Sequence, residues 1–236
     1  MVQKIIEMST EIIDSPDEII KHLHLGMSIP TDPEFHKYIL REIELFNAKS
    51  IILKNNGEII GNVLVYNDGS DILFFGYFGI EDHNPGAIGF LMNELIKYGK
   101  DNGYAKVRGP INIPTVIYGW GFMKEGCNEK LFVCCPVNPP IYQEIFSNNG
   151  FYLKFEEDRY KMMVYRYNPH KDPKYDFSDY EYYNPKDKED LLRLKDEFIR
   201  LHHTYMPDSA RITPNTAGIF ENHANFILDY GANFMI

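Results

Sequence analysis

Residues Ile72 to Gly109, ILFFGYFGIEDHNPGAIGFLMNELIKYGKDNGYAKVRG, decide the fold of this chain. The segment begins with an apolar stretch rich in aromatic residues, which favours a β-strand. A short acidic turn follows, then a helix that we predict to end near Lys100, and then a second strand that starts at Ala105. The segment therefore predicts a strand, a glycine-containing loop, a helix and a strand.

The turn between the first strand and the helix, Asp82 to Gly89, brings small residues to the beginning of a helix. Unpaired backbone N–H groups at such a place, together with the helix dipole, favour an anion such as a diphosphate. Gly76 and Gly79 interrupt the preceding strand, and glycine inside a strand marks a bulge or a close approach of a ligand. These features suggest a phosphate-bearing ligand; the alternative is that the small residues only permit tight packing of the helix.

Composition limits the classes of protein to which the chain can belong. Its 236 residues are enough for one large domain or two small ones, and 44% hydrophobic and 25% charged residues are ordinary for a globular protein. A formal net charge of −10 argues against a general nucleic-acid or anionic-membrane binder, because such proteins need clustered cations. No stretch approaches the roughly 20 apolar residues that span a bilayer, and the beginning of the chain lacks a signal-peptide pattern. We therefore expect a cytoplasmic protein without nucleic-acid or membrane partners.

The three cysteines, Cys127, Cys134 and Cys135, are odd in number and two are adjacent. This is a poor disulfide framework and fits a reducing compartment. A zinc site would need a fourth ligand at suitable spacing, and the nearest histidines in the sequence are far away. The sequence therefore predicts no metal site.

The chain before Ile72 has the pattern of a strand, two helices and a β-hairpin. The strand is predicted over Lys4 to Met8. Each helix begins with a capping residue followed by proline and acids, at Ser15 and at Asp32; the first helix should end near residue 25 and the second near residue 46. Asn56-Gly57, between apolar runs at 50–54 and 58–66, is a strong hairpin signal.

The strand from Ala105 is predicted to continue to Asn112, and a loop around the single tryptophan, Trp120, follows. That loop could fold over a ligand or cover the end of the sheet. A helix is predicted over Ile141 to Asn148, ended by an Asn-Gly pair, and then a long strand over Phe151 to Tyr167.

The tail repeats the order of elements seen at the beginning of the chain. Residues 168–176 are rich in proline and charge and are the predicted linker. Helices are predicted over Glu189 to His202 and from Thr213 to about Tyr230, before what reads as the start of a strand at Asn233 to Ile236. We therefore predict one domain over 1–167 and, over 177–236, the beginning of a second unit of the same topology.

The order of elements over about residues 1 to 167 resembles the GNAT acetyltransferase family, and three places carry the resemblance. Asn56 to Gly61 resembles the hairpin that enters the third strand of that family. Asn84 to Gly89 lies where the family has its acyl-CoA pyrophosphate loop, commonly R/Q-x-x-G-x-G/A, and Asn138 to Phe151 resembles its last helix. More narrowly, FFGYFGIED, RGPIN and VNPPIYQEIFSNNGFY resemble a branch with G-P-x-N and N-P-P-x-Y motifs, whose members can carry a second GNAT-like unit.

The resemblance implies an α+β fold with a mixed, mostly antiparallel central sheet flanked by helices. It implies an acyl-CoA-dependent N-acyltransferase that acetylates an amine of a small molecule or peptide, with acetyl-CoA as co-substrate. The pantetheine would bind backbone groups of Phe78, Gly79 and Ile80, and Asn138 would contact its arm. The pyrophosphate would bind the loop and helix start, through Asn84, Gly86, Ala87, Ile88, Gly89 and Phe90.

The chain departs from the family pattern at residues that matter for catalysis. Pro85 has no N–H, so one potential pyrophosphate donor is lost. The family's frequent acid, a tyrosine four residues before the Gly-Phe pair, is Phe146 here. Tyr142, one turn earlier on the same helix face, could stand in as the acid or could be a packing aromatic. Glu81 is the first candidate for the base, with Asp82 and His83 behind it, although a carboxylate after a strand is usually only solvated.

Two other functions compete with acyl-CoA chemistry. The loss of the family tyrosine and the altered loop favour a non-catalytic GNAT-like module that binds a ligand or serves in assembly. The doubled topology favours an aminoacyl-transferase built from paired GNAT-like units. An incomplete second unit would also leave a strand edge unpaired or completed by a partner, so a homodimer is a further expectation.

Overall fold

The computed structural model describes residues 7–26, 32–125, 138–153, 183, 185–205 and 217–231. The strands in these residues are β1 (Met8–Ile13), β2 (Lys49–Asn55), β3 (Glu58–Tyr66), β4 (Ile72–Ile80) and β5 (Lys106–Arg108). The helices are α1 (Pro16–His22), α2 (His36–Leu45), α3 (Pro85–Asp101), α4 (Thr115–Tyr118), α5 (Ile141–Asn148), α6 (Lys188–Leu192), α7 (Lys195–Tyr205) and α8 (Ala217–Asp229). A short 3-10 turn, Leu23–Gly26, follows α1.

The five strands form one sheet in the order β1-β2-β3-β4-β5. The first four are antiparallel to their neighbours, and β5 runs parallel to β4. The predicted fold class, α+β with a mixed and mostly antiparallel sheet flanked by helices, is confirmed. The predicted hairpin is also present, because Asn56 and Gly57 take the positive φ angles of 50° and 87° that a tight two-residue turn between β2 and β3 requires.

Helices cover both faces of the sheet and divide the core in two. On one face α1, α2, α4 and α8 contribute to a first cluster that contains Tyr77 and Ile219. On the other face α3 and α5 contribute to a second cluster that contains Phe75, Phe78 and Tyr142. Strand β4 supplies side chains to both clusters, because successive residues of a strand point to opposite faces.

Two predicted strands differ from the observed ones. The first strand was predicted at Lys4 to Met8 but runs from Met8 to Ile13, where polar residues alternate on a half-exposed edge and hide the strand from a search for apolar runs. The strand predicted from Ala105 to Asn112 ends at Arg108. Pro110 has no N–H to donate to a ladder, so the pairing with β4 cannot continue regularly.

The helix starts follow the sequence only in part. Asp32 Oδ1 accepts a hydrogen bond from the backbone N–H of Glu34 at 2.9 Å, as a capping residue should. The Ser15 side chain makes no capping bond, and the first helix gives way to the 3-10 turn after His22. The helix predicted over Glu189 to His202 is two helices, α6 and α7, so that prediction is wrong in detail.

The last described helix packs against the second one. Asn222 Nδ2 of α8 donates to the carbonyl of Tyr38 at 3.0 Å and to Oε1 of Glu42 at 2.8 Å. The Glu42 carboxylate is 1% exposed, and Nε2 of His223 lies 3.0 Å from the same oxygen. The ring of Phe226 meets that of Tyr38 edge to face at 5.3 Å. Part of the tail is thus joined to the first core.

Several predictions fall outside the described residues. They include most of the long strand predicted over Phe151 to Tyr167, the linker at 168–176, the final strand and all three cysteines. The division into a domain at 1–167 and a second unit at 177–236 therefore stays a prediction.

Candidate functional site

Strand β4 carries a bulge at Tyr77. Leu64 and Asn62 of β3, two residues apart, pair with Gly76 and Gly79 of β4, three residues apart, so β4 contains one extra residue. Tyr77 has a φ of +48°, an uncommon value for a residue with a large side chain. A bulge bends the strand and re-aims the residues after it, as often occurs next to active sites.

β4 and β5 part after Phe74, before the bulge. Their parallel pairing covers only Ile72 to Phe74 of β4. The Phe75 carbonyl then accepts a hydrogen bond from the Ile111 N–H at 2.7 Å, and the Tyr77 N–H donates to Oδ1 of Asn112 at 2.7 Å. Within the described part of the chain, side chains then take the place of a neighbouring strand on this edge: Asn112 at Tyr77 and Tyr142 at Ile80.

Tyr142 of α5 reaches into the gap where the strands part. Its Oη accepts a hydrogen bond from the backbone N–H of Ile80 at 3.0 Å. The side chain is 2% exposed, and burial raises the pKa of Tyr142 to about 12, against a smaller lowering effect of the Ile80 hydrogen bond. The hydroxyl is therefore protonated at neutral pH and can donate that proton.

Aromatic rings pack against the ring of Tyr142 and against one another. The ring of Phe78 lies edge-on to Tyr142 at 5.6 Å, and Phe122, from the loop after Trp120, lies 5.7 Å from it. Phe146 stacks on Phe75 at 5.7 Å and meets Phe78 at 4.9 Å. Phe146, which stands where the family has its tyrosine, is thus a core residue. The rings keep the gap apolar and filled.

The loop around Trp120 packs against the core on both faces of the sheet. Trp120 pairs with Ile111 in an isolated β-bridge and packs against the first core cluster. Phe122 packs against the second cluster. Within the described residues this loop covers the end of the sheet, which was one of the two roles considered from the sequence.

The mouth of helix α3 is closed by its own capping residue. Asn84 Oδ1 accepts hydrogen bonds from the backbone N–H groups of Gly86 at 2.9 Å and Ala87 at 3.2 Å, and its carbonyl accepts from Ile88 at 2.9 Å. Gly89 and Phe90 lie inside the helix, where N–H groups bond to carbonyls four residues earlier. A diphosphate would reach Gly86 and Ala87 only after the Asn84 side chain turned away.

Gly79 makes room for another part of the same chain. A Cβ atom added to Gly79 would lie 1.9 Å from the carbonyl oxygen of Leu25, and one added to Gly26 would lie 1.9 Å from that of Tyr77. The backbone of the 3-10 turn therefore presses directly on the bulged part of β4. This contact explains why residue 79 is glycine. The 3-10 turn occupies that side of the strand, so no ligand can bind there.

The candidate bases lie at the exposed end of β4. Glu81 directly follows Ile80, and its backbone N–H donates to the Ile60 carbonyl at 2.8 Å. Its side chain is exposed, as are those of Asp82 and His83. The ring of His83 lies 6.1 Å from that of Tyr142, so the structure brings this histidine, the last of the three candidates, to the predicted acid.

The Asn138 side chain makes hydrogen bonds to backbone groups of the protein. Oδ1 accepts from the Met123 N–H at 2.7 Å, and Nδ2 donates to the Pro139 carbonyl at 2.9 Å. It fastens the loop that carries Phe122 to the beginning of α5. Its predicted contact with a pantetheine arm stays a prediction, as do the other site assignments.

Sequence analysis missed the roles of Asn62 and Asn112. Both are buried, at 0% and 4% exposed, and both bond to Tyr77. One signal was available in the sequence, because an asparagine inside the apolar strand 58–66 needs polar partners when it is buried. Asn112 was noticed only as part of a motif.

Within the described ranges, no cluster of three or more His, Cys, Asp or Glu side chains is arranged to hold a metal ion. None of the helices described is both long and apolar enough to cross a bilayer.

No protein-family model matches the sequence, and no curated protein is similar to it. Solved structures with a similar fold include the aminoglycoside N-acetyltransferase AAC(6')-Iy in complex with CoA, at 15% identity over 71% of this chain and 99% of that chain, with a TM-score of 0.40. A possible acetyltransferase from Clostridium difficile 630 is similar at 14% identity over 67% and 99%, with a TM-score of 0.40. The IAA acetyltransferase from Bacillus cereus ATCC 14579 is similar at 18% identity over 46% and 70%, with a TM-score of 0.34. Two of these are described as acetyltransferases and one as a possible acetyltransferase, but likeness at this level says nothing about the reaction of this chain.

Proposed function

We propose that the protein is an acyl-CoA-dependent N-acyltransferase that transfers an acetyl group to an amine of a small molecule or peptide. One observation carries this proposal. At the place where β4 and β5 part, the Ile80 N–H and the Tyr142 hydroxyl meet at 3.0 Å. Acyl transfer from a thioester needs two donors. A backbone N–H can stabilise the charge on the carbonyl oxygen, and a protonated hydroxyl beside it can give a proton to the leaving sulfur.

Binding of acetyl-CoA would require side-chain movements at both ends of the site. Among the described residues no strand pairs with the edge of β4 from Phe78 to Ile80, so a pantetheine chain can pair with it once the Tyr142 hydroxyl leaves the Ile80 N–H. At the mouth of α3 the Gly86 and Ala87 N–H groups can hold a diphosphate once the Asn84 side chain leaves them. Acetyl-CoA supplies an acyl group on a thioester, which an amine can attack.

The residues have these roles in the proposed reaction. As the amine nitrogen bonds to the carbonyl carbon and the carbon–sulfur bond breaks, the Ile80 N–H stabilises the charge on the carbonyl oxygen. Tyr142 donates its proton to the leaving sulfur; a tyrosine hydroxyl carries that proton at neutral pH. Glu81 takes the proton that the amine loses, and Tyr142 regains its own from solvent.

Thermal melting with acetyl-CoA, followed by an activity assay, tests the proposal. A ligand present at a hundred times its dissociation constant adds about 2.7 kcal/mol of stability, which is easily seen as a higher melting temperature. Release of free CoA thiol in the presence of a panel of amines then reports transfer. An unchanged melting temperature at millimolar acetyl-CoA would overturn the proposal.

The second candidate is a non-catalytic ligand-binding or assembly module. The Asn84 cap on the α3 amides favours it, because those donors are already satisfied. The core position of Phe146 also favours it. A melting shift with CoA but no transfer to any amine of the panel would support this second function.

A further inference from the structure

Two buried asparagines hold the peptide groups of Tyr77 from opposite sides of β4. Asn62 of β3 donates from Nδ2 to the Tyr77 carbonyl at 3.0 Å. Asn112, in the segment after β5, accepts the Tyr77 N–H at Oδ1 at 2.7 Å. At the bulge, side-chain amides thus take the places that neighbouring strands occupy elsewhere in the sheet.

Each asparagine is itself anchored, so the pair forms a rigid bracket. Asn112 Nδ2 donates to the Tyr118 carbonyl at 3.0 Å, and its backbone N–H donates to the Gly119 carbonyl at 3.0 Å. Asn62 Oδ1 accepts from the Ser50 hydroxyl. Because buried polar groups are costly to leave unpaired, these bonds allow only one orientation of each side-chain amide.

The bracket offsets a strained backbone. A non-glycine residue in the left-handed region costs on the order of 1–3 kcal/mol and persists only where its surroundings determine it. At Tyr77 the two asparagines do so, helped by the Tyr77 hydroxyl, which donates to the Ile113 carbonyl at 2.6 Å. Without the bracket, β4 would relax toward regular pairing.

Relaxation of the bulge would move the reactive end of β4. If the bulge is lost, the pairing register of β4 shifts by one residue, and every later residue of the strand turns to the opposite edge or face. The N–H of Ile80, three residues after Tyr77, would then no longer face the Tyr142 hydroxyl. We propose that Asn62 and Asn112 are positioning residues of the site, which hold the bulge so that the Ile80 N–H and Tyr142 Oη stay aligned; as a catalytic statement this rests on the proposed acyl transfer.

If Asn112 had only a structural role, its replacement would have a different effect from the one proposed. Asn222 provides the matched control. Asn222 is also buried, at 3% exposed, and its side chain also bonds to a backbone carbonyl, but it lies on α8 and its hydrogen bonds go to Tyr38 and Glu42 of α2. If Asn112 only stabilises the fold, N112A and N222A should behave alike.

The first measurement is the amide NMR resonance of Ile80, which does not depend on activity. We expect N112A to shift the ¹H and ¹⁵N resonances of Ile80 and to speed exchange of its amide proton, and N222A to leave both unchanged. An unchanged Ile80 resonance in N112A would overturn the proposal. If N112A does not fold, N62A is measured in its place, with the same two outcomes.

The second measurement is a double-mutant cycle in acetyl transfer. We expect N112A to lower kcat at least 10-fold, and to lower it less than 2-fold further when Tyr142 is already phenylalanine, because both changes remove the same alignment. Fold losses that multiply in N112A/Y142F would show that Asn112 does not act through Tyr142. If the wild-type protein transfers no acyl group, the proposed function fails, while the Ile80 resonance still decides the inference about the bracket.

Discussion

The two halves of β4 are held in different ways. The first half, Ile72 to Phe74, lies in a backbone ladder with β5, and Phe74 is also paired with β3. In the second half, from Tyr77 to Ile80, the edge away from β3 is bonded to the side chains of Asn112 and Tyr142. The hydrogen bonds of a backbone ladder are fixed by the fold. A side chain can rotate away, and the backbone group to which it was bonded can then bind a ligand.

This difference shows where in the strand chemistry is possible. The first half can contribute only stability, because its N–H and carbonyl groups have permanent partners. The second half presents a donor, the Ile80 N–H, whose present partner is a hydroxyl that can turn toward a substrate. The predictions below test this separation, beginning with the largest expected effect.

Replacing Tyr142 with phenylalanine should have the largest effect. Loss of a general acid typically costs 100-fold or more, so we expect kcat for acetyl transfer to fall at least 100-fold, about 2.7 kcal/mol of activation free energy. Steady-state kinetics with acetyl-CoA measure it. A Y142F variant with kcat within 3-fold of wild type would remove Tyr142 from the mechanism.

The pH dependence of the wild-type protein checks the same residue. The pKa of Tyr142 is raised to about 12 by burial, so the neutral hydroxyl persists as pH rises past 10, the ordinary value for tyrosine. We expect no loss of kcat from this group between pH 7 and pH 10. Folding stability should fall only above pH 10, because there the unfolded chain ionises its tyrosine and the folded protein does not.

Replacing Gly79 with alanine should disrupt the second half of β4 by steric conflict. The new Cβ would fall 1.9 Å from the Leu25 carbonyl oxygen, so the 3-10 turn or the strand must move. We expect a loss of about 2–3 kcal/mol in the free energy of unfolding, measured in urea. Gly89 is the control for stability, since a Cβ there meets no atom within 4 Å, and G89A in a helix should gain about 0.5–1 kcal/mol.

Two variants of Asn84 separate capping from anion binding. N84A should lose about 1 kcal/mol of stability, because the Gly86 and Ala87 N–H groups lose their partner, yet it should bind CoA no more weakly than wild type. N84D keeps the cap but adds a negative charge where a diphosphate must lie, so it should remain stable and bind CoA more weakly. Calorimetric titration with CoA distinguishes them, and equal affinities of N84D and wild type would place the diphosphate elsewhere.

A substitution in β5, which pairs with the first half of β4, should have the smallest effect. Val107 of β5 packs against the second core cluster, so V107A should cost about 1 kcal/mol of stability or less. It should leave kcat unchanged, in contrast to Y142F. A large fall in kcat with V107A would show that the two halves are not separate.

Sequence reasoning succeeded where local chemistry determines structure. Asn56-Gly57 fixes its own turn, and helix α5 begins and ends where proline and Asn-Gly predict. Helical spacing also placed Tyr142 on the face of Phe146, and both enter the same cluster. These features depend on neighbours in the sequence, so the sequence alone carries enough information.

Reasoning failed where distant segments determine structure. Nothing near Gly79 in the sequence shows that the backbone of Leu25 will press on it; the sequence indicated only a bulge or a ligand at this glycine, and the bulge is present. The positive φ of Tyr77 has no local cause, because it depends on Asn62 and Asn112. At the α3 mouth, the capping bonds of Asn84 use the donors that a pyrophosphate would need, and the assignment of Asn84 to a pyrophosphate loop stays a prediction.

The buried carboxylate of Glu42 limits how the protein can be shortened. Its partners Asn222 and His223 both lie in α8, and Asn222 is 180 positions further along the chain. A protein cut before that helix would leave the Glu42 carboxyl without either partner, and a buried polar group that loses its partner typically costs about 1–3 kcal/mol. Anyone wishing to express the sheet without its tail should therefore first make that glutamate a neutral residue.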